Sequence, residues 1–462
     1  MRCQNGRQGR APATARSMDP ATFLDRLHHE LLGHALAYFF PESTVEHGPR
    51  AGAAAELAVH PEGARAVSLD WLGVRYRMQR PAFDFTDHDH RMLRAIGRYL
   101  SARHRLAHQH PDDPGVLRLF GGRAEDHVVS AWLDLAASGD APTRTNAERI
   151  DDAVEVLRAC ALGTYENRRI TMGALLFGAL PDACHESPPH PSDAIRYARP
   201  LTGIRSFRRL SDGLQTVALV DEAGMLVEIV DVHDWAQPYA GQPLPVPAAS
   251  AYATHARATL CGGHLCLVLT ASGEIKAFAD GAQVFNFLDG VWRLTNAAEK
   301  HRAWRQALGR RELADRLFGV ALDLAEDRRG GLFLVVDDPA QIDRLVAAPD
   351  LLGTATIVGG TRAPALKRDL HYLLRRKTVL DLAPRVLETL GRIDGAVVLD
   401  ADGNLLAFGA IVRHPLGADA LEVTEGGRST AAVTASHAGK VLKISEDGLV
   451  SFYEAGRCVW EL

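Results

Sequence analysis

Cysteine is scarce and scattered: six in 462 residues, with only Cys261 and Cys266 close together. That excludes a disulfide-stapled secreted scaffold and makes reduced thiols in a cytoplasmic protein the expectation. Cys261-Gly-Gly-His-Leu-Cys266 lacks the second pair that a zinc tetrad needs, so two thiols on a strand edge are expected there. No apolar run is long enough to cross a bilayer, and no membrane partner is expected. Residues 1–17 hold four Arg, no acid and no apolar stretch. They read as a disordered tail, or as an upstream start with Met18 as the real one, and not as a secretory signal. An excess of basic charge is missing too. A net charge of −5 gives no electrostatic case for nucleic acid.

What is present is a globular composition, 47% hydrophobic and 24% charged, with length for two to four domains. Phe23, Leu27, Leu31, Leu32 and Ala35 recur at helical spacing. His29-Glu30-Leu31-Leu32-Gly33-His34 invites a zinc reading, but its histidines are five apart and the motif needs four. Ala54–Val59 and Ala66–Met78 read as strands. Thr86-Asp-His-Asp89 is a capping box opening a helix through Met92, Leu93, Ile96 and Leu100. Residues 18–110 are therefore expected to form a small α+β module. Its Phe85-to-Ile96 stretch is similar to the closing helix of GAF-type sensor domains. His88, His90, His104, His108 and His110 are assigned to exposed helix and loop positions. Pro111 to Gly115 breaks the chain, and a helix is expected around Asp126–Ala137.

The last seventy residues carry the chemistry. Asp394-Gly395-Ala396 follows a helical pattern of Leu382, Val386, Leu387 and Leu390, and precedes the apolar run Val397–Leu399. A carboxylate before two small residues leaves room for a ligand backbone or a metal ion. Asp402-Gly403 and Asp447-Gly448 are tight turns between strands. Gly426-Gly427-Arg428-Ser429-Thr430 suits phosphate: free backbone N–H groups, a charged fork and neutral hydroxyl donors. Taken singly, Asp394-Gly395 fits a helix end and turn, and Arg428 fits a solvated loop charge.

In order and spacing these blocks resemble the diadenylate cyclase domain, the nucleotide-binding domain of DNA-integrity-scanning proteins. The family's Asp-Gly-Ala motif is intact at Asp394–Ala396. Its Gly-Thr-Arg-His-Arg-Ala-Ala motif is degraded at Gly426–Ala432, which keeps one Arg and lacks the Thr, the His and the second Arg. Its Ser-Glu-Glu-x-Gly stretch survives in outline at Ser445–Ser451. Gly319–Val336 looks like the family's opening helix and first strand. The resemblance covers residues 310–462.

That match prompts a search for a repeat. Leu219–Leu226 matches Val398–Leu405, Leu267–Gly281 matches Leu442–Gly456, and Tyr165–Phe177 parallels Ala325–Val336. The fold class expected is α/β: tandem diadenylate-cyclase-like domains, each a mixed sheet flanked by helices, over 146–295 and 310–462, after the small module. In the first copy Asp394 falls on Gln215, three residues after Asp212, and the phosphate loop falls near Thr254–Arg257. A helix over Asn296–Leu308 bridges the two.

The resemblance implies roles. Asp394 binds metal or activates a 3′-hydroxyl, Gly395 and Ala396 flank the nucleotide, and Arg428 holds phosphate. Gly426, Gly427, Ser429 and Thr430 complete the phosphate loop, and Ser445 and Glu446 sit near phosphates or metal. The metal implied is Mg²⁺ or Mn²⁺ on Asp394 and Glu446 with the nucleotide. The ligand implied is an adenine nucleotide or a cyclic dinucleotide, held in a homodimer or an intrachain pseudo-dimer. The departures matter. A charged hydrogen bond to phosphate contributes roughly 1.5–3 kcal/mol, against about 1 for a neutral one, and each lost transition-state donor costs about 10²–10³ in rate. Binding without efficient turnover is the first expectation. An active cyclase making cyclic di-AMP from two ATP, with Asp394 and Arg428 catalytic, is the second, and a protein-binding scaffold the third.

Overall fold

His28, Leu32 and Leu36 stand four residues apart and are all buried, the inward stripe of helix α1 (Pro20–Phe39). The computed structural model describes residues 20–49, 52, 54–81, 83–109, 121–138, 144–178, 180–352, 367–413 and 427–462. The chain divides into two units, Met1–Trp132 and Leu133–Leu462.

The first unit holds a four-stranded antiparallel sheet in the order β1-β4-β3-β2. Its strands are β1 (Thr44–Pro49), β2 (Ala58–Gly63), β3 (Ala66–Trp71) and β4 (Val74–Gln79). β1 was not anticipated, because its side chains are mostly exposed and show no apolar alternation. The strand expected over Ala54–Val59 begins only at Ala58. The run Ala66–Met78 is two strands, since Leu72 and Gly73 both take positive φ and reverse the chain. Helix α2 (Asp87–Gln109) starts with the expected reciprocal cap. The Asp89 N–H donates to Thr86 Oγ1 at 3.0 Å, and the Thr86 N–H donates to Asp89 Oδ2 at 2.9 Å. Helix α3 (Ala124–Ser138) follows.

The second unit opens with helix α4 (Arg144–Ala161), which buries Ile150, Val154 and Leu157. A two-residue ladder of β5 (Thr164–Tyr165) and β6 (Arg168–Arg169) comes next. An eight-stranded sheet is then built from β7 (Met172–Leu176), β8 (Ile195–Arg196), β9 (Thr216–Val220), β10 (Met225–Asp231), β11 (Leu265–Leu269), β12 (Ile275–Ala279), β13 (Ala282–Leu288) and β14 (Val291–Leu294). Its order is β14-β13-β12-β11-β7-β9-β10-β8. Cys266 lies in β11, an interior strand, so the expectation of two thiols on a strand edge is corrected: one is sealed in the sheet and Cys261 is in the preceding turn. After helices α5 (Ala297–Leu308) and α6 (Arg311–Glu326) comes a six-stranded sheet. Its strands are β15 (Gly331–Val336), β16 (Ala396–Leu399), β17 (Leu405–Ala410), β18 (Gly439–Ile444), β19 (Val450–Glu454) and β20 (Arg457–Glu461), in the order β17-β16-β15-β18-β19-β20.

Both sheets are mixed, and the fold class is α/β. The first strand of each is the pivot. β7 runs parallel to β9 and antiparallel to β11, and β15 runs parallel to β16 and antiparallel to β18. All further neighbours are antiparallel, so β10 through β13 and β17 through β20 share one order and one set of directions. The parallel pair in each case needs a crossover between its strands.

The six-stranded sheet packs against α6. Leu313, Leu317, Phe318, Leu324, Phe333, Val397, Leu442 and Phe452 are all essentially inaccessible there. Each contributes about 1.5–3 kcal/mol, so this seam, and not the exposed groups at its end, sets stability. The two sheets are tied by charge as well. Buried Lys276 on β12 reaches Glu326 at 2.8 Å and Glu274 at 3.4 Å, and Arg328 also pairs with Glu274. Among the described residues no helix is long and apolar enough to cross a membrane.

Candidate functional site

Helix α7 (Pro384–Gly391) runs down to the edge of β16, and Asp394 sits in the short link between them. The link demands glycine at its next position. Gly395 has φ +101°, and a Cβ there would lie 2.6 Å from the Gly409 carbonyl carbon. Asp394 is left 96% exposed on its side chain.

Helix α8 (Gly427–Ala435) packs on β18 and delivers Arg428 from its first turn. The turn between β18 and β19 delivers Glu446. The Arg428 guanidinium donates to Glu446 Oε1 at 2.9 Å, and its other terminal nitrogen lies 3.7 Å from Asp394 Oδ1. Gly330 makes this possible, because a Cβ at that position would collide with the guanidinium. Beside the arginine, Lys443 donates to Ser429 Oγ at 3.2 Å. Asp394, the neighbours Arg428 and Ser429, and Glu446, from three separate stretches of the chain, therefore meet at one end of the sheet. Gly427 lies exposed at the helix start, and Thr430 is half-buried one step further on. Gly426 lies outside the described residues.

Two further residues of the pattern have these surroundings. Ala396 is fully buried as the first residue of β16, so it can offer a ligand only backbone. Ser445 closes the β18–β19 turn: its Oγ accepts the Leu449 N–H at 3.3 Å, and its carbonyl accepts the Gly448 N–H at 3.1 Å. Its neighbour Glu446 is the residue that reaches the arginine. Lys443 was missed. Strand alternation puts it on the same face as Val441, toward Ala432 and Ala435 of α8. A lone lysine at an inward position of an apolar strand was the available signal.

The cluster sets two cations beside two carboxylates, groups that suit an anionic ligand carrying a cation. Two cations, a hydroxyl and the first N–H groups of a helix suit phosphate. The two carboxylates are hard oxygen donors of the kind Mg²⁺ or Mn²⁺ takes beside a nucleotide. An exposed ion pair such as Arg428–Glu446 stabilises by about 0–1 kcal/mol. A charged hydrogen bond to phosphate is worth roughly 1.5–3 kcal/mol.

The positions that the expected repeat assigns to a first copy, beside the eight-stranded sheet, are locked. Asp212 Oδ1 accepts the N–H groups of Leu214, Gln215 and Thr216 at 2.8–2.9 Å. Partial burial works against its ionisation, but these donors outweigh it and hold the carboxyl below its usual range. It is a turn residue. Thr254–Arg257 lies within a short helix, Ala253–Ala258, and not in a loop. His255 there is fully buried and bonds the Gly213 carbonyl through Nε2 at 2.8 Å. Arg257 spends Nη1 on the carbonyls of Tyr239, Ala240 and Gln242.

A cavity of about 370 Å³ lies between the two sheets, lined among others by Tyr252, Lys276, Asn286, Lys300, Glu326 and Arg328. The turn that carries Glu446 on one side borders it with Asp447 and Gly448 on the other.

No protein-family model matches the chain, and no curated protein does. Among solved structures, a hypothetical membrane spanning protein from Bacillus cereus is 18% identical, with a TM-score of 0.24, over 34% of this chain and 69% of that one. DacA from Staphylococcus aureus, a diadenylate cyclase solved as a double cysteine mutant, is 20% identical, with a TM-score of 0.19, over 32% of this chain and 84% of that one.

Proposed function

We propose that this protein is a nucleotide sensor. It binds an adenine nucleotide or cyclic dinucleotide, with Mg²⁺ or Mn²⁺, at the end of the six-stranded sheet, and does not turn it over efficiently. The observation that carries the reading is the meeting of Arg428, Glu446 and Asp394 at the first turn of α8. In this reading Arg428 and Lys443 take the phosphates, Ser429 and the helix N–H groups complete the cradle, and Asp394 with Glu446 hold the metal.

The shared strand order of the two sheets supports reading residues 146–295 and 310–462 as two copies of one domain. The locked state of Asp212, His255 and Arg257 supports a first copy without a phosphate site. A cyclase that joins two ATP molecules needs two loaded sites face to face, and among the described residues there is one such cluster. Binding is thus favoured over synthesis within one chain. Synthesis between two chains is the alternative. Calorimetric titration of ATP and cyclic di-AMP with Mn²⁺ or Mg²⁺, with products resolved by chromatography, tests both. Binding without product is the expected result. Cyclic di-AMP formation lost in Asp394→Asn would make the protein an enzyme instead.

A further inference from the structure

The histidines of the first unit do not all lie on open surface. His104 and His108 are four apart on α2, so their rings share one face of the helix, 4.3 Å apart between centroids. Helix α1 packs against that face and brings Asp25 to it. Asp25 Oδ1 lies 2.8 Å from His104 Nε2 and 3.5 Å from His108 Nε2. One ligand atom from each of the three residues falls within 4.8 Å of the others, the only such group among the described residues. A tetrahedral zinc-class ion, with bonds near 2.0–2.2 Å, holds its ligands about 3.3 Å apart. Closing the triad onto an ion needs side-chain adjustment of about an ångström.

The surroundings suit a cation site. The side chains of Asp25, His104 and His108 are 44%, 11% and 26% exposed, so an ion has a path in and a fourth position open to water. Behind them the wall is aromatic. His28 and Trp71 both set ring edges against His104, at 5.0 and 5.9 Å between centroids. His28 is fully buried, and its Nδ1 is bonded to the Leu24 carbonyl at 2.7 Å, which fixes its proton on that nitrogen. Its Nε2 has no hydrogen-bond partner among the described residues. The neighbouring motif at His29–His34 plays no part: His29 bonds the Tyr76 hydroxyl at 2.7 Å, and His34 is exposed.

The geometry points to a late first-row divalent cation, zinc being the type case, held by His104, His108 and Asp25 and joining α1 to α2. Two imidazoles and one carboxylate select this class over Ca²⁺ and Mg²⁺, which take all-oxygen shells. The site stands apart from the nucleotide reading and does not depend on it.

The test is titration of untagged, chelator-stripped full-length protein with Zn²⁺ against a chromophoric chelator, with Co²⁺ as a spectroscopic probe. One equivalent should bind, and Co²⁺ should give the intense visible bands of a four-coordinate site. His108→Ala and Asp25→Asn, both at accessible side chains, should each weaken Zn²⁺ binding by at least about tenfold. Zn²⁺ should also raise the unfolding midpoint of the wild type but not of the variants. Equal Zn²⁺ affinity in wild type and variants, no binding above that of the free buffer, or only the weak bands of six-coordinate Co²⁺ would overturn the assignment. The cobalt spectrum reads the unaltered protein, so it decides even if a variant folds poorly.

Discussion

Arg428 and Glu446 are joined at 2.9 Å, yet the glutamate side chain is 69% exposed and the arginine 38%. The pair holds the guanidinium at the rim of the six-stranded sheet without sealing it. Arg428→Ala should therefore weaken nucleotide binding about ten- to hundredfold, the loss of one charged phosphate bond. Its thermal unfolding should stay close to wild type, because an exposed pair contributes little to stability. Calorimetry and a melting curve on the same sample check both halves.

Lys443 stands behind that arginine on Ser429. Lys443→Met keeps the length of the side chain and removes the charge. Binding of ATP should fall by about tenfold, and the dependence of affinity on salt should flatten. Unchanged affinity in a salt series would remove Lys443 from the site.

Gly395 has no alternative residue at its φ of +101° and its 2.6 Å approach to Gly409. Gly395→Ala should cost roughly 1–3 kcal/mol in urea denaturation and displace Asp394 with it. A variant as stable as wild type would mean that the link relaxes freely.

Two buried histidines set an acid limit. Burial, with His185 and Arg149 nearby, pushes His264 down to about 4, against a weaker pull from Asp182; burial does the same for His28. A histidine that resists protonation when folded but not when unfolded contributes its full stability above pH 6.5. That stability is lost as pH falls from 6.5 toward 4, by up to about 3 kcal/mol for each group. His264→Asn, whose amide oxygen stands where Nδ1 accepts the Gly178 N–H, should flatten the stability profile of the second unit in that window. Identical profiles in wild type and variant would assign the acid lability elsewhere.

Lys276 lies between Glu274 and Glu326 with its side chain 8% exposed. Lys276→Ala leaves two carboxylates short of a buried partner and should cost about 3–5 kcal/mol. The measurement is the urea midpoint at low and high salt, which should move little with salt because the pair is buried.

The turns and most of the strands in the second unit were legible because their signals are local. Asp221 accepts from the N–H groups of Ala223 and Met225, and Asp400 accepts from those of Asp402 and Asn404, each beside a glycine near φ +80°. The Asp-x-x-Gly spacing announces both turns. Arg428, Asp394 and Glu446 could be grouped only through their order along a resembling pattern, yet they do meet. Side-chain direction was not legible: Ala396 turns into the core and the Ser445 hydroxyl into its own turn. What was invisible was contact between elements distant in the chain. Nothing in the sequence pairs Asp25 with His104, seventy-nine residues away on another helix.

The most direct test of the central claim is titration of ATP into the purified chain with Mn²⁺, in wild type and Arg428→Ala. Saturable binding at one site, weakened at least about tenfold by the substitution and with no cyclic product, is the predicted result. No binding of ATP or cyclic di-AMP by the wild type, or binding that Arg428→Ala leaves intact, would contradict it.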